Sequence, residues 1–137
     1  MEINGIAHTF LTAGNFPVAR AFYSQLLPFL GLTPVLDSDG IYYCVGGRTA
    51  VGIRASAQQE PGNRFDQNRS GLHHLCFRVR QREDVDELHR FLLELGAHIV
   101  HPPQEDGWAP GYYSVLFEDP EGIRLEANFV PGRGLLS

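Results

Sequence analysis

Apolar and polar positions along the chain fall into two successive rounds of strand, helix and three strands. Ile6, His8 and Phe10 share one face of an opening strand over Ile3–Leu11. Val18, Ala21, Phe22, Leu26 and Phe29 then recur at helical spacing. That spacing predicts a helix capped at Asn15 or a neighbour, with Pro17 in its first turn and Gly31 at its end. Pro28 frays or kinks the last turn, because proline brings no N–H to the ladder. Short strands follow over Thr33–Asp37, Ile41–Val45 and Thr49–Ala55, separated by Asp39-Gly40 and Gly46-Gly47 turns. The second round opens with a strand over Leu72–Val79. A helix over Glu83–Leu95 carries Val85, Leu88, Leu92 and Leu95 on one stripe and stops at Gly96. Strands over His98–His101, Tyr112–Glu118 and Ile123–Phe129 complete it, with Pro102–Gly111 as a loop at the rim of a cleft.

The two rounds also echo each other residue by residue. Gly5-Ile6-Ala7-His8 returns as Gly71-Leu72-His73-His74, which sets His8 and His74 66 positions apart. Tyr42-Tyr43-Cys44-Val45 returns as Tyr112-Tyr113-Ser114-Val115, and Gly52-Ile53-Arg54 as Gly122-Ile123-Arg124, both 70 positions apart. A repeat of this kind fixes architecture before any single element does. The expected fold is α+β: two tandem βαβββ modules form a curved mixed sheet around a cleft, with the helices outside. Module one covers residues 1–57, a polar linker 58–70, module two 71–130 and a loose tail 131–137, all within a single domain.

Composition narrows the function classes. A chain of 137 residues with 43% hydrophobic and 20% charged content has the size and balance of one globular domain. All 11 basic residues are arginine, so lysine Schiff bases, lysine general bases and P-loop phosphate binding are excluded. The net charge of −5, without a basic stripe, argues against nucleic acid as a partner. No apolar run is long enough to span a bilayer and no signal-peptide pattern opens the chain, so a cytoplasmic protein is expected. Cys44 and Cys76 lack metal-type spacing and read as reduced thiols.

Strand parity picks out the chemistry. Asp119-Pro120-Glu121-Gly122 has the residues of a type I turn, with Pro second and Gly fourth. A glycine bulge at Gly122 then sets Phe117 opposite Leu125 and Leu116 opposite Glu126. Val115, Phe117, Leu125 and Ala127 face the helix; Ser114, Leu116, Glu118, Arg124, Glu126 and Asn128 face the cleft. A carboxylate in the middle of that strand is costly unless something compensates it. An ion pair with Arg124 or Arg54 would do so. So would a divalent metal held by His8, His74 and Glu126, converging through a pseudo-two-fold. Tyr42 and Tyr112, with Cys44 and Ser114 two residues on, are expected to point into the cleft. Tyr112 is the candidate proton carrier. Phe10 and Trp108 would supply an apolar wall and lid, and Arg54 a bidentate clamp for a carboxylate. His73 reads as a rim residue or one supporting a ligand, His89 as solvent-exposed, and no role is assigned to His98 or His101.

These motifs resemble the vicinal oxygen chelate superfamily, which includes glyoxalase I, extradiol ring-cleavage dioxygenases, methylmalonyl-CoA epimerase, fosfomycin-resistance transferases and bleomycin-binding proteins. The resemblance runs from about Ile3 to Phe129. It is carried by Gly5–His8, Phe22-Tyr23, Gly71–Phe77, Leu95-Gly96-Ala97 and Phe117–Glu126. It implies the same ligand trio, His8, His74 and Glu126, and a bound iron(II), manganese, zinc, nickel or cobalt ion. The substrate would be small and vicinally oxygenated, chelating the metal in a glyoxalase-like lyase or isomerase or in a small dioxygenase. Some members use a fourth ligand from the last strand of the first half; repeat alignment puts Ser56 there and family alignment Ile53 or Arg54, none a good ligand. The alternative is a drug- or metabolite-binding resistance protein without chemistry. Open sheet edges and related halves suggest a homodimer in either case.

Overall fold

The computed structural model describes residues 1–58 and 62–136. Positions 59–61 of the expected linker and position 137 of the expected tail lie outside the described residues. The chain divides into two compact units, one through Arg64 and one from Phe65 onward. The first contains β1 (Thr9–Ala13), α1 (Phe16–Phe29), β2 (Thr33–Ser38), β3 (Ile41–Gly46) and β4 (Thr49–Ala55). The second contains β5 (Leu75–Arg78), α2 (Arg82–Leu95), β6 (His98–Glu105), β7 (Tyr113–Glu118) and β8 (Arg124–Phe129). The sheet orders are β1-β4-β3-β2 and β5-β8-β7-β6. In each sheet only the first pair is parallel. Two α+β units of the expected βαβββ order are thus present.

Each helix covers one face of its own sheet. α1 begins where the Asn15 side chain accepts from the Val18 N–H at 3.5 Å. It buries Phe16, Ala19, Phe22, Tyr23, Leu26 and Leu27. The expected stripe was partly misplaced, since Val18, Ala21 and Phe29 remain exposed. Apolar residues lie on more than one face of α1, so spacing alone does not choose the buried one. Pro28 does little harm: it stands one residue before the helix end, and the Leu30 N–H still reaches the Leu26 carbonyl at 3.0 Å. α2 starts with the Gln81 N–H donating to the Asp84 carboxylate at 2.9 Å and stops at Gly96, φ +76°. Of its expected stripe, Val85, Leu88 and Leu92 are fully buried and Leu95, in the last turn, is half-buried. Each such side chain stabilises the fold by about 1.5–3 kcal/mol relative to exposure.

The ends of the strands decide what the site can contain. β1 begins at Thr9, not Ile3, because its one partner, β4, has only two residues before the Thr9–Val51 rung. Ile3 and Ile6 are therefore exposed, and His8 stands immediately before the strand. β5 is likewise shorter than expected, leaving His74 immediately before Leu75. β6 extends through part of the expected loop to Glu105. Register shifts between Ile99, His101 and Gln104 interrupt its ladder around Pro102 and Pro103, where the missing N–H groups cost least. The β7–β8 hairpin closes as parity requires, Phe117 opposite Leu125 and Leu116 opposite Glu126. Its turn is held by the buried Asp119 carboxylate, which accepts from the Glu121 and Ile123 N–H groups at 2.8 and 2.9 Å, with Gly122 at φ +84°. No helix among the described residues is long and apolar enough to cross a membrane.

Candidate functional site

The uncovered face of the second sheet carries a cavity of about 350 Å³ lined by residues of that unit alone. Leu116, Arg124 and Glu126 form its strand-borne floor. His73 and His74, ahead of β5, line it from one side. His101 of β6 and the loop residues Asp106, Trp108 and Tyr112 also line it. Of the expected site residues, His74, Glu126, Tyr112 and Trp108 are thus brought together.

Glu126 is the centre of this arrangement. Only 9% of it is accessible, because β8 is flanked by β5 and β7 and the carboxylate rises between Cys76 and Leu116 on its own rung. Its two oxygens do different work. Oε1 accepts a short hydrogen bond from the Tyr112 hydroxyl. Oε2 lies 3.3 Å from His74 Nε2. Burial and then this bond to Glu126 raise the Tyr112 phenol well above its ordinary range. At neutral pH it therefore keeps its proton and serves as a hydrogen-bond donor. The neighbouring Cys76 keeps accessible surface, yet crowding of its thiol, and next the Glu126 charge, push its pKa up to about 12. It is no thiolate ligand at neutral pH.

His74 is held from its other side too. His73 Nδ1 and His74 Nδ1 are 2.8 Å apart, so one ring donates to the other. If His74 keeps the Nδ1 proton, its Nε2 lone pair points where the Glu126 carboxylate stands, which is the tautomer a metal ligand needs. The 3.3 Å Nε2–Oε2 separation also suits shared coordination. Two donors each about 2.1 Å from one ion are roughly 3.0–3.4 Å apart between octahedral and tetrahedral angles. One imidazole and one carboxylate of the second unit therefore fit a divalent ion. Within neither unit, among the described residues, do three or more His, Cys, Asp or Glu side chains gather around one point.

In the first unit, His8 is exposed and packs edge-on to Phe10, with ring centroids 5.6 Å apart. Phe10 stacks on Tyr43 at 5.3 Å with an interplanar angle of 2°. Arg54 is exposed near the end of β4, on the rung with Thr12 and Ile41. Tyr42 corrects an expectation. It faces α1, is 2% accessible, and has the Arg20 guanidinium over its ring at 5.7 Å; Cys44 beside it is fully buried. The aromatic on the open face is Tyr43. In the second unit Ser114 shares the Glu126 face as expected, but is buried and does not line the cavity. His89, expected in solvent, is half-buried.

Register explains the parity error and relocates the missing ligand. His8 and His74 each stand one residue before their strands, so the rung Phe10–Gly52–Tyr43 in the first unit corresponds to Cys76–Glu126–Leu116 in the second. Tyr43 is then the counterpart of Leu116, 73 positions on, whereas the Tyr-Tyr echo is spaced at 70. That odd difference moves every side chain of β3 to the other face. The first-unit counterpart of Glu126 is Gly52, not Ser56, Ile53 or Arg54. The Phe10 ring lies where a side chain at position 52 would begin: an added Cβ would overlap Cε1 and sit 2.5 and 2.8 Å from Cδ1 and Cζ.

His101 and Asp106 line the cavity without having been expected there, whereas Leu116 and Arg124 were expected on the cleft face and His73 at its rim. Arg124, expected there as a possible ion-pair partner of Glu126, pairs with Glu118 at 3.4 Å. His101 faces the cavity through a bulge that no alternation pattern announces.

Comparison with known proteins bears on the fold. A Bacillus halodurans protein assigned to the glyoxalases is similar at 27% identity and a TM-score of 0.79, over 93% of this chain and 96% of its own. A glyoxylase/bleomycin resistance protein/dioxygenase domain from Frankia sp. EAN1pec is similar at 25% identity and 0.75, over 93% and 98%. Lactoylglutathione lyase from Agrobacterium tumefaciens is similar at 25% and 0.69, over 94% and 96%. Among curated proteins none is significantly similar. The model of one family matches residues 5–127. With nearly the whole chain matched, and two βαβββ units present, the chain belongs to the glyoxalase/bleomycin resistance protein/dioxygenase superfamily.

Proposed function

We propose that this chain is a divalent-metal-dependent enzyme acting on a small, vicinally oxygenated substrate, as a glyoxalase-like lyase or isomerase or as a small extradiol-type dioxygenase. The observation that carries the reading is the divided Glu126 carboxylate, one oxygen held by Tyr112 and the other presented beside His74 Nε2. His74 and Glu126 would hold the ion, with His8 as the third donor on the strength of the repeat. Iron(II), manganese, zinc, nickel and cobalt all suit two imidazoles and a carboxylate. The ion supplies Lewis acidity toward the two substrate oxygens.

The remaining work belongs to side chains. Tyr112 orients Glu126 by donating to Oε1, and its hydroxyl is the proton-bearing group nearest the carboxylate. His73 fixes the His74 ring. Trp108, 74% accessible at the cavity, and Leu116 below it provide an apolar wall and cover for substrate. The relatives named as a lyase and as dioxygenase-family proteins support both reaction classes. Solvent-facing β2, with Val35 and Leu36 exposed, supports pairing into a homodimer.

Turnover separates the possibilities. Anaerobic loading with iron(II) followed by oxygen consumption on a catechol supports the dioxygenase; conversion of a hemithioacetal by the nickel or zinc form supports the lyase. Failure of every metal form on both substrate classes, together with tight binding of a bleomycin-type drug, would instead establish a non-catalytic resistance protein.

A further inference from the structure

The cavity holds a cation that the metal reading does not use. Arg124 lies on β8 two residues before Glu126, so the two side chains rise from the same face about 6.6 Å apart along the strand. Its guanidinium is part-buried and bonds Glu118 through Nε alone, at 3.4 Å. That contact leaves the Nη pair, the edge that can donate two parallel hydrogen bonds, without a described partner. Guanidinium is the group best matched to a carboxylate, and gripping one inside a cavity beats doing so in water.

The acids around it are already engaged. Glu126 and Asp106 are the acids among the cavity residues, and Arg124 is the arginine. Asp106 already accepts from Gln104 Nε2 at 3.1 Å, and Glu126 is engaged by Tyr112 and His74. Glu118 offsets the charge of Arg124 from one side, so what recommends a carboxylate ligand is the unoccupied fork of Arg124 and not a surplus of positive charge. A volume of about 350 Å³ limits that ligand to a small molecule.

We infer that the substrate is a small carboxylic acid whose carboxylate is clamped by Arg124, at a distance of roughly one strand repeat, ~6–7 Å, from the vicinal oxygens beside Glu126. This rests on the proposed metal site for the position of the oxygens; the carboxylate subsite stands on Arg124 alone. Its apolar body lies between Leu116 and Trp108. Arg124 is the specificity-determining arginine of this cavity.

The chain has a single tryptophan, Trp108, so quenching of its fluorescence reports occupancy of this cavity directly. The probes are 3,4-dihydroxybenzoate, with a suitable carboxylate-to-oxygen distance, and its neutral isostere 3,4-dihydroxybenzamide. They are titrated into the full chain, metal-free and then zinc-loaded. The acid is expected to bind about tenfold or more tightly than the amide in both forms. Arg124→Gln should bring that ratio to about one, and Arg124→Lys, which keeps the charge but not the fork, should leave it in between. Circular dichroism identifies any variant that fails to fold, and the wild-type ratio tests the inference without one. An acid-to-amide ratio near one in the wild type, or a ratio unchanged in folded Arg124→Gln, overturns it. If zinc alters neither affinity while the ratio still depends on Arg124, the metal reading fails and the carboxylate subsite stands.

Discussion

Replacing Gly52 by alanine should destabilise the protein, and the sign should reverse once Phe10 is removed. A Cβ at position 52 would overlap the Phe10 ring, with Cδ1 and Cζ at 2.5 and 2.8 Å, closer than carbon atoms come without something moving. The backbone is fixed by pairing on both sides of β4, so the ring must swing off. Phe10 is 42% exposed and has room to do so. It then forfeits its parallel stack on Tyr43, about 0.5–1.5 kcal/mol. Uncovering ~50 Å² of apolar surface costs roughly another 1.2 kcal/mol. Against this, replacing glycine by alanine stiffens the unfolded chain, which stabilises by about 0.4–1 kcal/mol. The balance is a loss of about 1–2 kcal/mol for Gly52→Ala alone. In a Phe10→Ala background only the last contribution remains, and the same substitution should stabilise. Urea denaturation followed by far-UV circular dichroism on the four proteins of the cycle measures this directly. Equal effects of Gly52→Ala in both backgrounds would refute the claim that Phe10 fills the position corresponding to Glu126.

Other consequences follow from neighbouring groups. His73→Ala should weaken metal binding about 10–100-fold in a calorimetric titration with zinc or cobalt, with the stoichiometry unchanged, because the partner that fixes the His74 tautomer is lost. Unaltered affinity would mean the His73–His74 contact is incidental. Stability should fall as pH rises above about 9–10. The Tyr42, Tyr112 and Tyr113 phenols and the Cys44 and Cys76 thiols all have pKa values raised by folding. The unfolded chain therefore loses these protons first, and their stabilising contribution is whole below the unfolded pKa values and fades above them. For Tyr42 burial is the main cause, so Tyr42→Phe should make the unfolding free energy less sensitive to pH between 10 and 11, by up to ~1.4 kcal/mol per pH unit. Equal pH dependence of wild type and variant would contradict that assignment.

Much of the second unit was legible from residues alone, because its signals agree. The Asp-Pro-Glu-Gly turn fixed the register of β7 and β8 through Asp119 and Gly122, and alternation then assigned Glu126 to the uncovered face and Phe117 to the core. The α2 stripe was legible because most positions off it are charged, although Leu93 is apolar and exposed and Leu95 is only half-buried. In the first unit the signals conflict. α1 is apolar on several sides, so Val18 and Phe29 looked buried and are not. The Tyr-Tyr echo misled because similarity of letters was taken for equivalence of position: an odd insertion between the copies sends Tyr42 under the helix and leaves Tyr43 on the open face. Gly52 could not be read as the missing ligand's counterpart, since only the paired strands define its rung. His101 reached the cavity through a bulge at two prolines, which disrupts the period on which strand reading depends.

The claim on which the functional account turns is that His74 and Glu126 bind a divalent ion, with His8 completing the set. Elemental analysis of the reconstituted, desalted chain beside His74→Ala, Glu126→Gln and His8→Ala tests it most directly. About one equivalent per wild-type chain, falling to a small fraction in each folded variant, is the predicted result. Full occupancy in His74→Ala, or less than about a tenth of an equivalent in the wild type, would contradict it.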